Sequence, residues 1–290
     1  MIRPLLVLAA ACLFISAADA AVLNHATLNF GGKTRDYLIE VPSAPGPKPL
    51  VIALHGIGGT GEAMAEATRL APLGQQQGFV AVFPDALVHQ WNWYRPGETI
   101  PAVEGNRFTA IGGPPDDFGF LKALIADLVQ RGIADPKRVY LVGFSNGGFM
   151  TTRMACDDAG AFAAIALISS SIPTPLDQDC HPAKPLPIVM EKGTADDHVP
   201  YNGGYVLDRG FTVISADQLS AFFIALDGCG PAVNRTEQTG VKNVKIDVAA
   251  WAECKDGPVT LYKVNGGVHA VYQLPPPAPT LWDFFKTHSL

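Results

Sequence analysis

Residues 139–150, Val-Tyr-Leu-Val-Gly-Phe-Ser-Asn-Gly-Gly-Phe-Met, hold the pattern that most limits what this chain can become. A run of β-forming residues at 139–142 leads into Gly143-Phe144-Ser145-Asn146-Gly147, and a helix-compatible segment follows at 149–156. A G-x-S-x-G pattern between a strand and a helix is a nucleophile elbow, a turn so sharp that the serine is strained and its hydroxyl stands proud of the sheet. Glycines at 143 and 147 remove side chains that would collide with the neighbouring strand and helix. A bare match is common by chance; one set between a strand and a helix nominates Ser145 as a nucleophile.

The order of elements around this turn implies an α/β architecture. Strand-like runs fall at 25–30, 35–41, 50–54, 79–83, 139–142, 162–168, 187–190 and 260–264. Helical patterns lie between them at 62–77, 118–130, 148–156, 215–226 and 280–287. The first two runs flank Gly31-Gly32 and read as an antiparallel hairpin. After them strands alternate with helices, which requires right-handed crossovers and a mostly parallel sheet with helices on both faces. Residues 95–115, rich in Gly and Pro, read as a long loop above the sheet, and 275–279 as a proline-rich connection to the last helix.

The first twenty residues read as a secretory signal peptide: Arg3, an apolar stretch over 5–15, then Ala18-Asp19-Ala20 before Ala21. Residues 21–290 are then expected to form one catalytic domain, secreted or periplasmic, with no membrane anchor once the signal is removed. The formal net charge of −6 argues against a general nucleic-acid binder. Without Cys12 of the leader, four cysteines remain: Cys156, Cys180, Cys229 and Cys254. An even count outside the cytoplasm implies disulfides. Three pairings are possible, and the sequence-local one, Cys156–Cys180 with Cys229–Cys254, is expected.

A nucleophilic serine needs a base and an orienting acid, here in the order Ser, Asp or Glu, His. His269 follows a strand in Asn265-Gly266-Gly267-Val268-His269, where an open sheet places its reacting groups. His288 lies near the C-terminus. His198 sits in the same loop as the acids, too near them in sequence to reach across the elbow easily. The acid lies in Gly193-Thr194-Ala195-Asp196-Asp197-His198, after the strand-like 187–190, and spacing does not choose between Asp196 and Asp197. An Asp-Asp-His cluster offers too few oxygens for a hard cation, so no metal is expected. His55-Gly56-Ile57-Gly58-Gly59 follows the strand-like 50–54, and such loops offer amides to a tetrahedral oxyanion, which nominates the N–H groups of Ile57 and Asn146. His55 reads as a brace for the loop.

These motifs, with Asp135-Pro136-Lys137-Arg138-Val139-Tyr140 and Val199-Pro200-Tyr201, resemble the secreted polyhydroxybutyrate depolymerase and feruloyl esterase-like family of α/β-hydrolases, from about Leu28 to the C-terminus. The resemblance implies the α/β-hydrolase fold and a cofactor-free serine carboxylesterase with Ser145, His269 and, by the family's G-T-A-D motif, Asp196. It also implies a bridge between Cys229 and Cys254, and matches Trp91-Asn92-Trp93-Tyr94 and Asp116-Asp117 to family segments. Trp91, Trp93 and Tyr94 are expected to line the substrate pocket. Lys192 stands where the family often has histidine, and Val271-Tyr272 where it often has Trp and Pro. The expected partner is a small or oligomeric ester, taken by a monomer: a short-chain hydroxyalkanoate, or a feruloyl or acetyl ester of plant polysaccharide.

Overall fold

The computed structural model describes residues 23–101, 107–207, 209–238, 244–271 and 277–290. The expected signal peptide, Tyr272 and parts of the two loops at 95–115 and 275–279 lie outside the described residues. The chain opens with β1 (Asn24–Phe30) and β2 (Lys33–Glu40), paired antiparallel across Gly31-Gly32, both at positive φ as a tight hairpin turn demands. There follow β3 (Lys48–Leu54), α1 (Gly61–Thr68), α2 (Leu70–Gln77), β4 (Val80–Pro84), α3 (Asp117–Gln130), β5 (Ala134–Phe144), α4 (Asn146–Asp158) and β6 (Ala164–Ile168). The C-terminal part carries β7 (Ile188–Gly193), β8 (Gly204–Tyr205), β9 (Thr212–Val213), α5 (Ala216–Asp227), β10 (Val233–Gln238), β11 (Lys245–Trp251), β12 (Val259–Val264) and α6 (Pro277–Phe285).

One sheet runs through the molecule in the order β1-β2-β4-β3-β5-β6-β7-β12-β11-β10. Its centre, from β4 to β12, is parallel, with antiparallel strands on both flanks. The central strands are buried on both faces, so their apolar residues serve two cores in alternation. Leu50, Ile52, Leu141, Leu167 and Met190 face a core with residues of α3, α4 and α5. Val51, Ala53, Val142, Ala166 and Val189 face the other, built with α1, α2 and α6. Helix ends follow local chemistry. Asp116 caps α3 by accepting from the Gly119 amide at 2.8 Å, and Ser215 and Gln218 form a reciprocal capping box on α5. No helix among the described residues is long and apolar enough to cross a membrane.

Three expectations need correction. The helix expected over 62–77 is two helices, broken at Arg69, which takes a left-handed φ of 59°. Pro72 explains the break: in a continuous helix its ring would collide with the residue 68 carbonyl, whereas in the first turn of α2 its missing N–H costs nothing. The last helix begins at Pro277, not 280, for the same reason. Finally, β10 and β11 are strands where none was expected; for β10 the reason is that Val233–Gln238 is a polar, largely exposed edge strand without the alternation that marks a half-buried one.

Glu40, at the end of β2, is buried, and its Oε2 has no hydrogen-bond partner among the described residues. Burial pushes its carboxyl up to about 7, against the pull of Lys48. Because the folded value lies above the unfolded one, the stability linked to this group is complete below the unfolded value and is lost as pH rises through about 7. Glu40→Gln is therefore expected to stabilise the protein at pH 8, by roughly 1–3 kcal/mol, and by much less at pH 5. Urea unfolding at both pH values checks this; an equal change at both would refute it.

Candidate active site

Ser145 joins β5 to α4 at φ 52°, ψ −118°, a conformation that a non-glycine residue holds only when its surroundings enforce it. The enforcement is close packing. A Cβ at Gly143 would run into the Gly147 carbonyl and Thr151 Oγ1, and one at Gly147 into the carbonyls of Leu54 and His55. The Ser145 amide donates to the Ile168 carbonyl (3.0 Å), and its carbonyl accepts from the Gly148 amide (2.8 Å) and Ser170 Oγ (2.9 Å).

The Ser145 hydroxyl lies 2.9 Å from His269 Nε2, and His269 Nδ1 lies 2.9 and 3.0 Å from the two oxygens of Asp196. An ionised carboxylate only accepts, so Nδ1 carries the imidazole proton and Nε2 is left to accept the serine's. The histidine loop is held against the acid loop: Gly266 N–H donates to Thr194 Oγ1 (2.8 Å) and Ala195 N–H to the Gly267 carbonyl (2.8 Å). Asp196 is buried and also accepts from the amides of His198 (3.0 Å) and Val199 (2.8 Å). Burial by itself would raise its carboxyl; the bond to His269 and that imidazole's charge, with Val199 and Lys192, outweigh burial and hold it below the usual range. Asp197, its side chain 78% exposed, bonds instead to His198 Nδ1 at 2.8 Å. Of the two aspartates left open on spacing alone, the turn at 193–199 buries Asp196 and leaves Asp197 in solvent. Lys192, fully buried on β7, donates to the Val199 carbonyl (2.9 Å), and burial lowers its ammonium to about 8.

His198 has its Nδ1 on Asp197 rather than on Ser145, yet it lies at the site. Its ring stacks on His269 with centroids 4.9 Å apart and planes 18° apart, and it lines the same cleft. Because the His198 amide is tied to Asp196, the turn that presents Asp196 also carries this ring over His269.

Ile57 and Asn146 line the cleft beside Ser145. Gly56 packs so tightly that a Cβ there would stand 3.3 Å from Ser145 Cβ. Asn146 is the first residue of α4, where the amide has no intrahelical acceptor and the helix end favours negative charge. His55 braces the loop in its neutral form, with Nδ1 donating to the Gly56 carbonyl (2.7 Å) and Nε2 accepting from the Ala86 amide (3.1 Å). Burial lowers its affinity for a second proton.

The aromatic segment divides. Trp93 and Tyr94 line the cleft, but Trp91 does not; it is fully buried against the His55 ring. Its indole N–H donates to the His55 carbonyl (3.0 Å). Its backbone is clasped by the Asn146 side chain, which accepts from the Trp91 amide (2.7 Å) and donates to its carbonyl (3.2 Å). The cleft, about 350 Å³, is also lined, among others, by Phe149, Val206, Leu207, Arg209 and Phe211, which sequence reasoning missed. The last four lie between β8 and β9, strands of two residues each, too short to leave a periodic signal. Trp93, Phe149 and Phe211 meet edge to face at centroid distances of 5.1 to 6.0 Å.

Two disulfides, Cys156–Cys180 and Cys229–Cys254, pair the cysteines locally. The first ties the end of α4 to the loop after β6, and Arg95 adds bonds to Asp157 Oδ1 (2.7 Å) and the Asp179 carbonyl (2.9 Å) beside it.

Among known proteins, the model of a family described as the alpha/beta hydrolase family matches residues 51–277. Feruloyl esterase B of Piromyces equi is 28% identical over 265 residues, 88% of this chain and 46% of that one. Poly(3-hydroxyalkanoate) depolymerase C of Paucimonas lemoignei is 31% identical over 175 residues, 58% of this chain and 39% of that one. The chain thus spans less than half the length of either relative. Among solved structures, an acetyl xylan esterase from Aspergillus awamori superposes with a TM-score of 0.60 at 16% identity, covering 91% of this chain and 99% of that one, a likeness of fold.

Proposed function

We propose a serine carboxylesterase activity for this chain, which belongs to the alpha/beta hydrolase family. The observation that carries the proposal is the unbroken line of contacts from Asp196 through His269 to the Ser145 hydroxyl, open to an apolar cleft. Ser145 attacks the ester carbonyl as His269 Nε2 takes its proton, and Asp196 holds the imidazole and offsets the positive charge it acquires. The amides of Ile57 and Asn146 receive the oxyanion, each donor contributing roughly a hundredfold in rate or more. His269 then protonates the leaving alkoxide and activates water against the acyl-enzyme. Export to an oxidising compartment is part of the proposal, supported by the leader-like first twenty residues and the two disulfides.

The substrate class we favour is a short-chain hydroxyalkanoate ester or oligomer, supported by the cleft's modest size and the likeness to a polyhydroxyalkanoate depolymerase. The aromatic group of Trp93, Phe149 and Phe211 favours a second reading, a feruloyl-type acyl group stacked against it. An active-serine phosphonate is expected to label Ser145 and no other residue; absence of labelling in folded protein would leave a non-catalytic binding role on the same fold. Initial rates on a soluble hydroxybutyrate oligomer and a soluble feruloyl ester rank the two substrates, and turnover of the feruloyl ester alone would promote the second.

A further inference from the structure

Directly after β6 the chain carries three consecutive serines, Ser169, Ser170 and Ser171, all fully buried. Each hydroxyl donates to a different part of the site. Ser169 Oγ reaches the Ala270 carbonyl (3.0 Å), Ser170 Oγ the Ser145 carbonyl (2.9 Å), and Ser171 Oγ the Ile214 carbonyl just past β9 (2.7 Å). The backbone here is anchored to the acid's strand, because the Ser169 amide donates to the Glu191 carbonyl at 2.8 Å.

Ser169 is the unusual member. Its φ of 45° lies in the left-handed region, where glycine would be at ease and a side chain is strained. A strained residue that keeps a side chain suggests a use for that side chain. Its acceptor is the carbonyl of the residue following His269. Thr194 and Ala195 hold the histidine loop on the near side, through Gly266 and Gly267, and Ser169 holds it on the far side.

Resting on the esterase reading above, we propose that Ser169 is a positioning residue: its hydroxyl grips the Ala270 carbonyl and keeps the His269 imidazole in register with Ser145. An ångström-scale misplacement of a reacting group can cost up to about a hundredfold in rate, so a lost tether on one side of the loop should be visible in kcat.

Ser169→Gly separates this role from a structural one, because it relieves the backbone while removing the hydroxyl. With a soluble chromogenic short-chain ester, Ser169→Gly and Ser169→Ala are both expected to lose about tenfold in kcat with KM unchanged. Labelling of Ser145 by a phosphonate should slow in parallel, with the unfolding midpoint of the glycine variant close to wild type. Ser171→Ala, acting on the cleft wall, is expected to move KM instead. Wild-type kcat in Ser169→Gly would overturn the proposal, as would a loss of rate that follows a lost folded fraction. A wild-type protein that hydrolyses no ester would count against the esterase reading itself, and phosphonate labelling rates would then decide between the Ser169 variants.

Discussion

Alanine in place of His269 is expected to lower kcat by about four to six orders of magnitude while leaving the fold intact. The imidazole is the one group placed 2.9 Å from the Ser145 hydroxyl with its other nitrogen committed to a buried carboxylate. No other described side chain replaces both contacts. Alanine in place of His198 is expected to leave kcat within about tenfold of wild type, since that ring only stacks on His269 and its Nδ1 is directed to exposed Asp197. Steady-state kinetics of the two purified variants, with circular dichroism to verify folding, distinguish the roles. A dead but folded His198 variant beside an active His269 variant would reverse the assignment.

The largest expected effect on stability lies away from the chemistry. Arg35 and Asp117 form an ion pair at 2.7 Å with both side chains almost wholly out of solvent, and the guanidinium lies 3.8 Å over the Phe120 ring. Burial pushes the Asp117 carboxyl up to about 6 against the pull of Arg35, and a buried ion pair commonly returns less than its desolvation costs. Removing one partner then strands the other. Asp117→Ala is expected to destabilise the protein by about 3–5 kcal/mol in urea unfolding, and Arg35→Met by a similar amount. Replacing both with apolar residues should cost clearly less than Asp117→Ala alone. A double variant as unstable as the summed singles would show that the pair stabilises the fold outright. Asp117→Ala should also impair catalysis, because Asp117 Oδ2 accepts from the Asn92 amide at 2.7 Å and so fixes the segment between Trp91 and Trp93.

The parts of this molecule legible in sequence are those encoded over a few adjacent residues. The elbow around Ser145, the glycine loop after β3 and the glycine loop carrying His269 each announce themselves by spacing, because a sharp turn or an exposed row of amides requires glycine at set positions. The central strands are legible as apolar runs because both their faces are buried. What sequence could not resolve depends on where a turn points. Asp196 and Asp197 are chemically identical neighbours; spacing leaves both open, family resemblance favours Asp196, and burial is the physical difference between them. Trp91 and Trp93 belong to one aromatic segment, yet one supports the loop beneath and the other lines the cleft. Ser169 carried no signal at all, since a serine run after a strand resembles any polar turn.

The double clasp between the Asn146 side chain and the Trp91 backbone bears on how the site can be altered. The residue whose amide is proposed to meet the oxyanion also fixes the position of one wall of the cleft. Substitutions that shift that wall will disturb turnover along with selectivity, and adaptation there is constrained. The cleft residues Val206, Leu207 and Phe211, between β8 and β9, are fastened at their base through Thr174 and Thr212 and share no described hydrogen bond with Ser145, His269 or Asp196, though Phe211 packs on Trp93. On the esterase reading, diversifying Val206 and Leu207, with Phe211 and residues 91–94 left untouched, is expected to change acyl preference while Ser145, His269 and Asp196 keep their contacts.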